Sequence, residues 1–125
     1  MDTSISRSTE AVATTMDAWA AHDWRQGVLL GTLAPHDRLT VRTRNSTYEI
    51  IVIDPQKAAV MVRGGAFFSE FTPAHVLGSS LGGGLLKLHG VYAGFQLELR
   101  TEGLPVITTR IRTVVVARST HGAIM

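Results

Sequence analysis

Apolar and polar residues alternate along most of the chain after residue 37, with the period of two that is typical of β-strands. In the stretch 39–45, Leu39 and Val41 fall on one face, and Arg42 and Arg44 fall on the other. The stretch 91–100 also alternates. Its apolar odd-numbered positions are predicted to face inward, namely Val91, Ala93, Phe95, Leu97 and Leu99. The opposite face is predicted to point outward, with Tyr92, Gln96, Glu98 and Arg100. Strands are predicted over residues 39–45, 47–53, 58–64, 66–71, 91–100 and 105–118.

The N-terminal part has a different period. Between residues 8 and 26, apolar residues recur at spacings of three and four, which predicts one amphipathic helix. Its apolar stripe contains Val12, Met16, Trp19, Ala20 and Trp24. Residues 1–8 are polar, and we expect them to be frayed.

These elements predict a mainly β fold. Short turns join the strands, and no helical pattern lies between them, so the sheet must be mostly antiparallel. The prediction is a single domain over 1–125, consisting of the N-terminal helix and a β-domain over 38–118. Six to seven strands at this length favour a small antiparallel β-barrel or a curved β-roll, because closure removes exposed strand edges.

Composition narrows the chemistry. The 125 residues contain no cysteine, which excludes disulfides and cysteine-ligated zinc. No apolar run approaches the roughly 18 residues that a membrane helix needs, and the N-terminus lacks a secretory signal pattern. We therefore expect a cytoplasmic protein that does not associate with a membrane.

Charge is unevenly distributed. Residues 1–37 carry two arginines and five acidic residues, whereas residues 38–125 carry ten lysines or arginines and five acidic residues. This asymmetry is consistent with an anionic partner, but it also fits an acidic segment packed against a basic one.

Arginines share strand faces in two places. Arg42 and Arg44 lie on one predicted face, and Arg110 and Arg112 lie on another. If these faces adjoin, they form a basic stripe like those of small barrels that bind single-stranded nucleic acid. Such barrels add exposed aromatics, for which Tyr48 and Tyr92 are candidates, although the apolar neighbours of Tyr48 favour its burial. The alternative is that the arginines are solvated strand residues that protect sheet edges.

The sequence GSSLG at 78–82 matches the G-x-S-x-G pattern of the serine hydrolase elbow. Ser80 would be the nucleophile, with Glu98 or Glu102 and then His121 downstream. The elbow requires a strand, a tight turn and a helix, whereas here a run of glycines follows the serine. Hydrolysis therefore stays the least favoured alternative.

The same segment could bind an anion. Gly78, Gly82, Gly83 and Gly84 could present backbone N–H groups as a nest, with Lys87 beside them. Their spacing matches no phosphate-binding loop or dinucleotide motif. The competing interpretation is a tight bend, or the close approach of another backbone.

No metal site, cofactor or catalytic residue is predicted. The five histidines show no ligand spacing, and the acidic residues show no recognisable pairing.

Three segments carry a resemblance: RLTVRTRNSTYEI, VRGGAFFSEFTPAHVLGSSLGGGLLKLHGVYAGFQLEL and TTRIRTV. With their pattern T-R-N-S-x-Y-E, R-G-G-x-F-F and G-S-S-x-G-G, residues 37–114 resemble a family of small bacterial proteins that has no assigned activity. The resemblance implies that the glycine segment is a family feature, and it implies no role for any residue.

The leading functional expectation is a non-enzymatic binding or self-association module, which would include a homo-oligomer. Binding of nucleic acid or another anionic partner through Arg42, Arg44, Arg110 and Arg112 is the alternative from a different class.

Overall fold

A computed structural model describes residues 26–81 and 85–119 of the chain. The helix predicted over 8–26 lies outside these residues except for Gln26, as do the frayed end predicted over 1–8 and the glycines at 82–84. The helix therefore stays a prediction.

The described residues form an antiparallel β-structure, which confirms the mainly β prediction. A short 3₁₀ turn follows the first strand, at Leu30–Thr32. The strands are β1 (Gly27–Leu29), β2 (Arg38–Thr43), β3 (Thr47–Asp54), β4 (Ala59–Gly64), β5 (Phe68–Ser80), β6 (Leu86–Leu88), β7 (Gly90–Tyr92), β8 (Gln96–Thr101) and β9 (Leu104–Ala117).

Six strands form a ring. The order of the main sheet is β4-β3-β2-β9-β8-β5-β6, and β4 also pairs with β5, which joins the two sides. The two longest strands make this closure possible because each changes partner along its length. β5 pairs with β4 through its first part and with β8 through its last part, whereas β9 pairs with β8 and then with β2.

Two predicted strand boundaries were wrong. The strand predicted over 66–71 continues to Ser80, because its second half finds β8 as a long-range partner. The strand predicted over 91–100 is divided into β7 and β8 by a turn at residues 93–95, although its alternation is real. All five apolar positions predicted to face inward are buried: Val91, Ala93, Phe95, Leu97 and Leu99.

The apolar core lies inside the ring and includes residues from every ring strand. β1 and β7 form a separate two-stranded ribbon whose Val91 joins the same core. The ribbon continues into the 3₁₀ turn, where the Leu30 N–H donates to the His89 carbonyl at 3.0 Å. Leu30 and Val91 are both fully buried in the core, so the ribbon and its 3₁₀ turn pack against the ring.

Tyr92 was expected to point outward, and it is instead buried in the ribbon. Gly27 and Gly90 both lie directly against its ring. Burial raises the pKa of the Tyr92 phenol above its ordinary value, because desolvation disfavours the charged form. Tyr92 is therefore unavailable as a surface aromatic.

Candidate functional site

A bulge in β9 brings Arg42 and Arg112 together. Arg42 is paired with Thr113, and the next residue of β2, Thr43, is paired with Ile111, so Arg112 is the extra residue on β9. A bulge redirects the side chain of its extra residue. Arg42 and Arg112 are both exposed, whereas Thr43 and Ile111 are buried.

A second irregularity lies on the other side of Arg110. Gln96 of β8 is paired with Arg110, and Glu98 is paired with Ile107, so three steps along β9 match two along β8. The side chain of Thr108 is turned inward there, and its hydroxyl accepts the Leu97 N–H at 3.1 Å. Arg110 therefore lies between two irregular points, where β9 changes partner.

Three arginines surround one surface depression of about 440 Å³. Its lining consists of Arg44, Gln96, Thr109, Arg110 and Arg112. Arg44 also lines an adjoining depression of about 200 Å³, which contains Arg42 and the polar turn at 45–46. The structure thus brings together the two arginine pairs that the sequence placed on separate strand faces, and we call these four residues the arginine surface.

Acidic residues do not neutralise the arginine surface within the described part of the chain. The ion pairs found there are Arg63–Glu49, at 2.7 Å, and Arg118–Asp37, at 3.6 Å. Arg110 donates from Nη1 to the Gly94 carbonyl at 3.1 Å, which orients its guanidinium without changing its charge. The surface therefore presents four positive charges, with Gln96 and Thr109 as additional hydrogen-bonding groups.

The sequence suggested an anion-binding glycine segment that includes Gly78 and Lys87. Neither residue lines the depressions of the arginine surface. Lys87 is the central residue of β6 and is paired with Ser79. Gly78 belongs to β5 rather than to a loop, and a Cβ added to it would lie 2.1 Å from the Lys87 carbonyl oxygen. Gly78 thus permits the close approach of another backbone. Gly82, Gly83 and Gly84 lie outside the described residues, so a nest there stays a prediction.

The two serines of GSSLG have structural partners. Ser79 is buried, and its hydroxyl donates to the Gly90 carbonyl at 2.7 Å and accepts the Tyr92 N–H at 3.1 Å. Ser80 is also buried and donates to Glu98 Oε2. Ser80 is the last residue of β5 and is paired with Leu86 of β6, whereas the serine of a nucleophile elbow lies at a tight turn between a strand and a helix. His121 lies outside the described residues.

Phe67 is the most exposed aromatic side chain among residues 26–81 and 85–119, and the sequence reasoning did not select it. Tyr48 is buried, as its apolar neighbours suggested, whereas Phe67 is 56% exposed in the turn between β4 and β5. The guanidinium of Arg63 lies over the nearby Phe71 ring, 4.4 Å from its centroid. The cluster of Phe67, Phe68 and Phe71 was visible in the sequence, but alternation alone does not identify which ring is free.

A different depression, of about 290 Å³, is mainly apolar. Ile53, Met61 and Pro73 contribute to its lining, and Arg100 and Glu102 place opposite charges there. None of the four arginines of the arginine surface contributes to it.

Among the described residues, no group of three or more histidine, aspartate or glutamate side chains is arranged to hold a metal ion. That part of the chain also contains no helix with the length and apolar character needed to cross a membrane.

Comparison of the chain with protein-family models, with curated proteins and with solved structures finds no significant match.

Proposed function

We propose that this protein binds nucleic acid through the arginine surface. The observation that carries the proposal is the convergence of Arg44, Arg110 and Arg112 on one depression, with Arg42 adjoining it. We also propose that the ring of strands is a small β-barrel, because small barrels bind nucleic acid strands on their outer sheet surface.

The chemistry of the surface suits phosphodiesters. Arginine presents a planar fork of N–H donors that matches two phosphate oxygens, and it is more weakly hydrated than lysine. Gln96 and Thr109 add neutral hydrogen-bonding groups within the same depression. These features favour a repeating anion that contacts several arginines at once over a single small anion.

The test is a salt titration of binding to a fluorescein-labelled single-stranded oligonucleotide, followed by anisotropy. Four phosphate contacts predict a slope of log K against log salt of about −3. Affinity then falls about 50-fold between about 50 mM and about 200 mM salt.

The double variant Arg110→Ala/Arg112→Ala should halve the magnitude of this slope, because two of four contacts are removed. Arg38→Ala/Lys57→Ala removes the same charge from exposed positions that line neither the arginine surface nor the apolar depression, and it should keep the wild-type slope. Absence of binding at low salt, or equal effects of the two double variants, would refute the proposal.

The apolar depression favours self-association as a second candidate function. Ile53 lines this depression and is 46% exposed, so a large aliphatic side chain is available to a partner there. A two-fold dimer places the same patch on both subunits. Arg100 of one copy could then pair with Glu102 of the other, twice per dimer. The proposed occupant of the depression is thus a second copy of this chain.

A further inference from the structure

Phe67 is an exposed aromatic ring in a fixed position. It lies in the turn between β4 and β5, and the next residue, Phe68, is buried in the core. The two rings meet edge to face, with centroids 5.0 Å apart and planes inclined by 68°. Such contacts favour one ring orientation. Phe67 is therefore anchored by Phe68 while its own ring remains accessible to solvent.

The turn that carries Phe67 is held against the hairpin that carries Arg42 and Arg44. Gly64 has φ +134°, and a Cβ added there would lie 2.1 Å from the Thr47 carbonyl oxygen. A side chain at Gly64 would push the β4–β5 hairpin away from the β2–β3 hairpin. The glycine thus fixes the Phe67 turn beside the start of β3.

Strand register gives the separation between Phe67 and the arginine surface. Arg42 is paired with Thr47, Tyr48 is paired with Gly64, and Gly64 is paired with Phe68. These are three successive strand spacings, which place Phe68, the neighbour of Phe67, about 15 Å from Arg42 measured along the sheet.

We propose that Phe67 stacks on a base of a single-stranded nucleic acid whose phosphates lie on the arginine surface. This inference rests on the proposed function and specifies its ligand. A base in a duplex has both faces covered by its neighbours, whereas an unpaired base can stack on an aromatic side chain. Phe67 would therefore make the protein prefer single strands, and the preference would not depend on base sequence.

The test compares Phe67→Ala, Phe67→Leu and Phe67→Trp with the wild type on the same labelled single strand. Loss of one stacked base weakens binding by about 5- to 150-fold, so we expect this loss in the Ala and Leu variants and near-wild-type binding in the Trp variant. Leu retains apolar bulk without a π face, so it distinguishes stacking from simple apolar contact.

The matched control is Leu104→Ala, which removes a similarly exposed apolar side chain from the β8–β9 hairpin. It should bind the single strand as the wild type does. Binding to a duplex of the same sequence should be weaker than to the single strand and should not change in any Phe67 variant. The salt slope should also stay unchanged, because no phosphate contact is removed.

The two proposals fail in different ways. If the wild type binds no oligonucleotide, the proposed function is wrong. If the wild type binds with the expected salt slope while Phe67→Ala binds the single strand equally well, only the stacking proposal is overturned. Equal losses on single strand and duplex, or a Leu variant that binds like wild type, would overturn it too.

Discussion

At the scale of single residues, Gly78 shows why glycine is required inside a strand. Its φ is +151°, and the backbone of β6 passes so close that a Cβ would lie 2.1 Å from the Lys87 carbonyl oxygen. The partner atom belongs to the backbone of a paired strand and cannot rotate away. For the glycine segment, the sequence alone suggested either a tight bend or the close approach of another backbone. The structure shows a close backbone approach at Gly78.

Substitution of Gly78 by Ala should therefore lower the free energy of unfolding by about 2–5 kcal/mol, since unfavourable φ and steric overlap both contribute. Urea unfolding measures the change. Gly103→Ala is the matched control, because Gly103 has φ +79° with no atom within 4 Å of an added Cβ. It should show only the cost of the backbone conformation, so an equal loss in both variants would contradict the role of β6.

At the scale of elements, Asp37 connects the start of β2 to the chain after β9. Its buried carboxylate accepts the Ala34 N–H at 2.9 Å and the Ser119 N–H at 2.6 Å, and Arg118 lies 3.6 Å away. These hydrogen bonds, with a smaller contribution from Arg118, lower the pKa of Asp37 below its ordinary 3.8 despite the opposing effect of burial. One side chain thus fastens the ends of two neighbouring strands.

Asp37→Asn should destabilise the protein at neutral pH by about 1–3 kcal/mol, because the amide nitrogen cannot accept an N–H as the carboxylate oxygen does. A group whose pKa is lower in the folded state stabilises the protein above the pKa of the unfolded chain. That contribution is lost as pH falls through the lower folded-state pKa. The difference between wild type and variant should thus be constant above about pH 5 and shrink below 3.8.

Urea titrations at several pH values measure this difference. Asp54→Asn provides the comparison, because the Asp54 carboxylate accepts N–H bonds in an exposed turn. It should have a smaller effect at neutral pH. A pH-independent difference for Asp37→Asn would show that its carboxylate charge is not what stabilises the junction.

At the scale of the whole molecule, ring closure determines which surfaces are available to partners. The arginine surface and the mainly apolar depression have no lining residue in common. Nucleic-acid binding and self-association are thus separable by substitution, and a dimer would carry two arginine surfaces. Two linked surfaces would raise the apparent affinity for a strand long enough to reach both.

If the apolar depression forms a two-fold dimer, Arg100→Glu should weaken dimerisation at least about tenfold, because like charges would face each other twice. The double variant Arg100→Glu/Glu102→Arg should restore it by exchanging the two charges. Multi-angle light scattering across a dilution series measures the oligomeric state. A wild-type monomer at every concentration, or a double variant no better than the single one, would contradict this interface.

The strand pattern and much of the core follow from the sequence by itself. Alternation between neighbouring positions is a local property, so it correctly predicted strands, the inward positions of 91–99 and the exposure of Arg42 and Arg44. The short turns between the strands correctly predicted that they are antiparallel. Alternation could not predict that β5 continues to Ser80 or that Tyr92 is buried. Both depend on partners distant in the chain, namely β8 for the strand and Gly27 for the ring.

The candidate site was likewise only half determined by sequence. Arg42 with Arg44, and Arg110 with Arg112, were recognised as two pairs, but their convergence depends on the pairing of β2 with β9 and on the bulge at Arg112. A bulge adds one residue to one strand, so it appears only once two strands are aligned. Residue type and local period therefore determined which side chains could bind an anion, whereas tertiary pairing decided which of them act together.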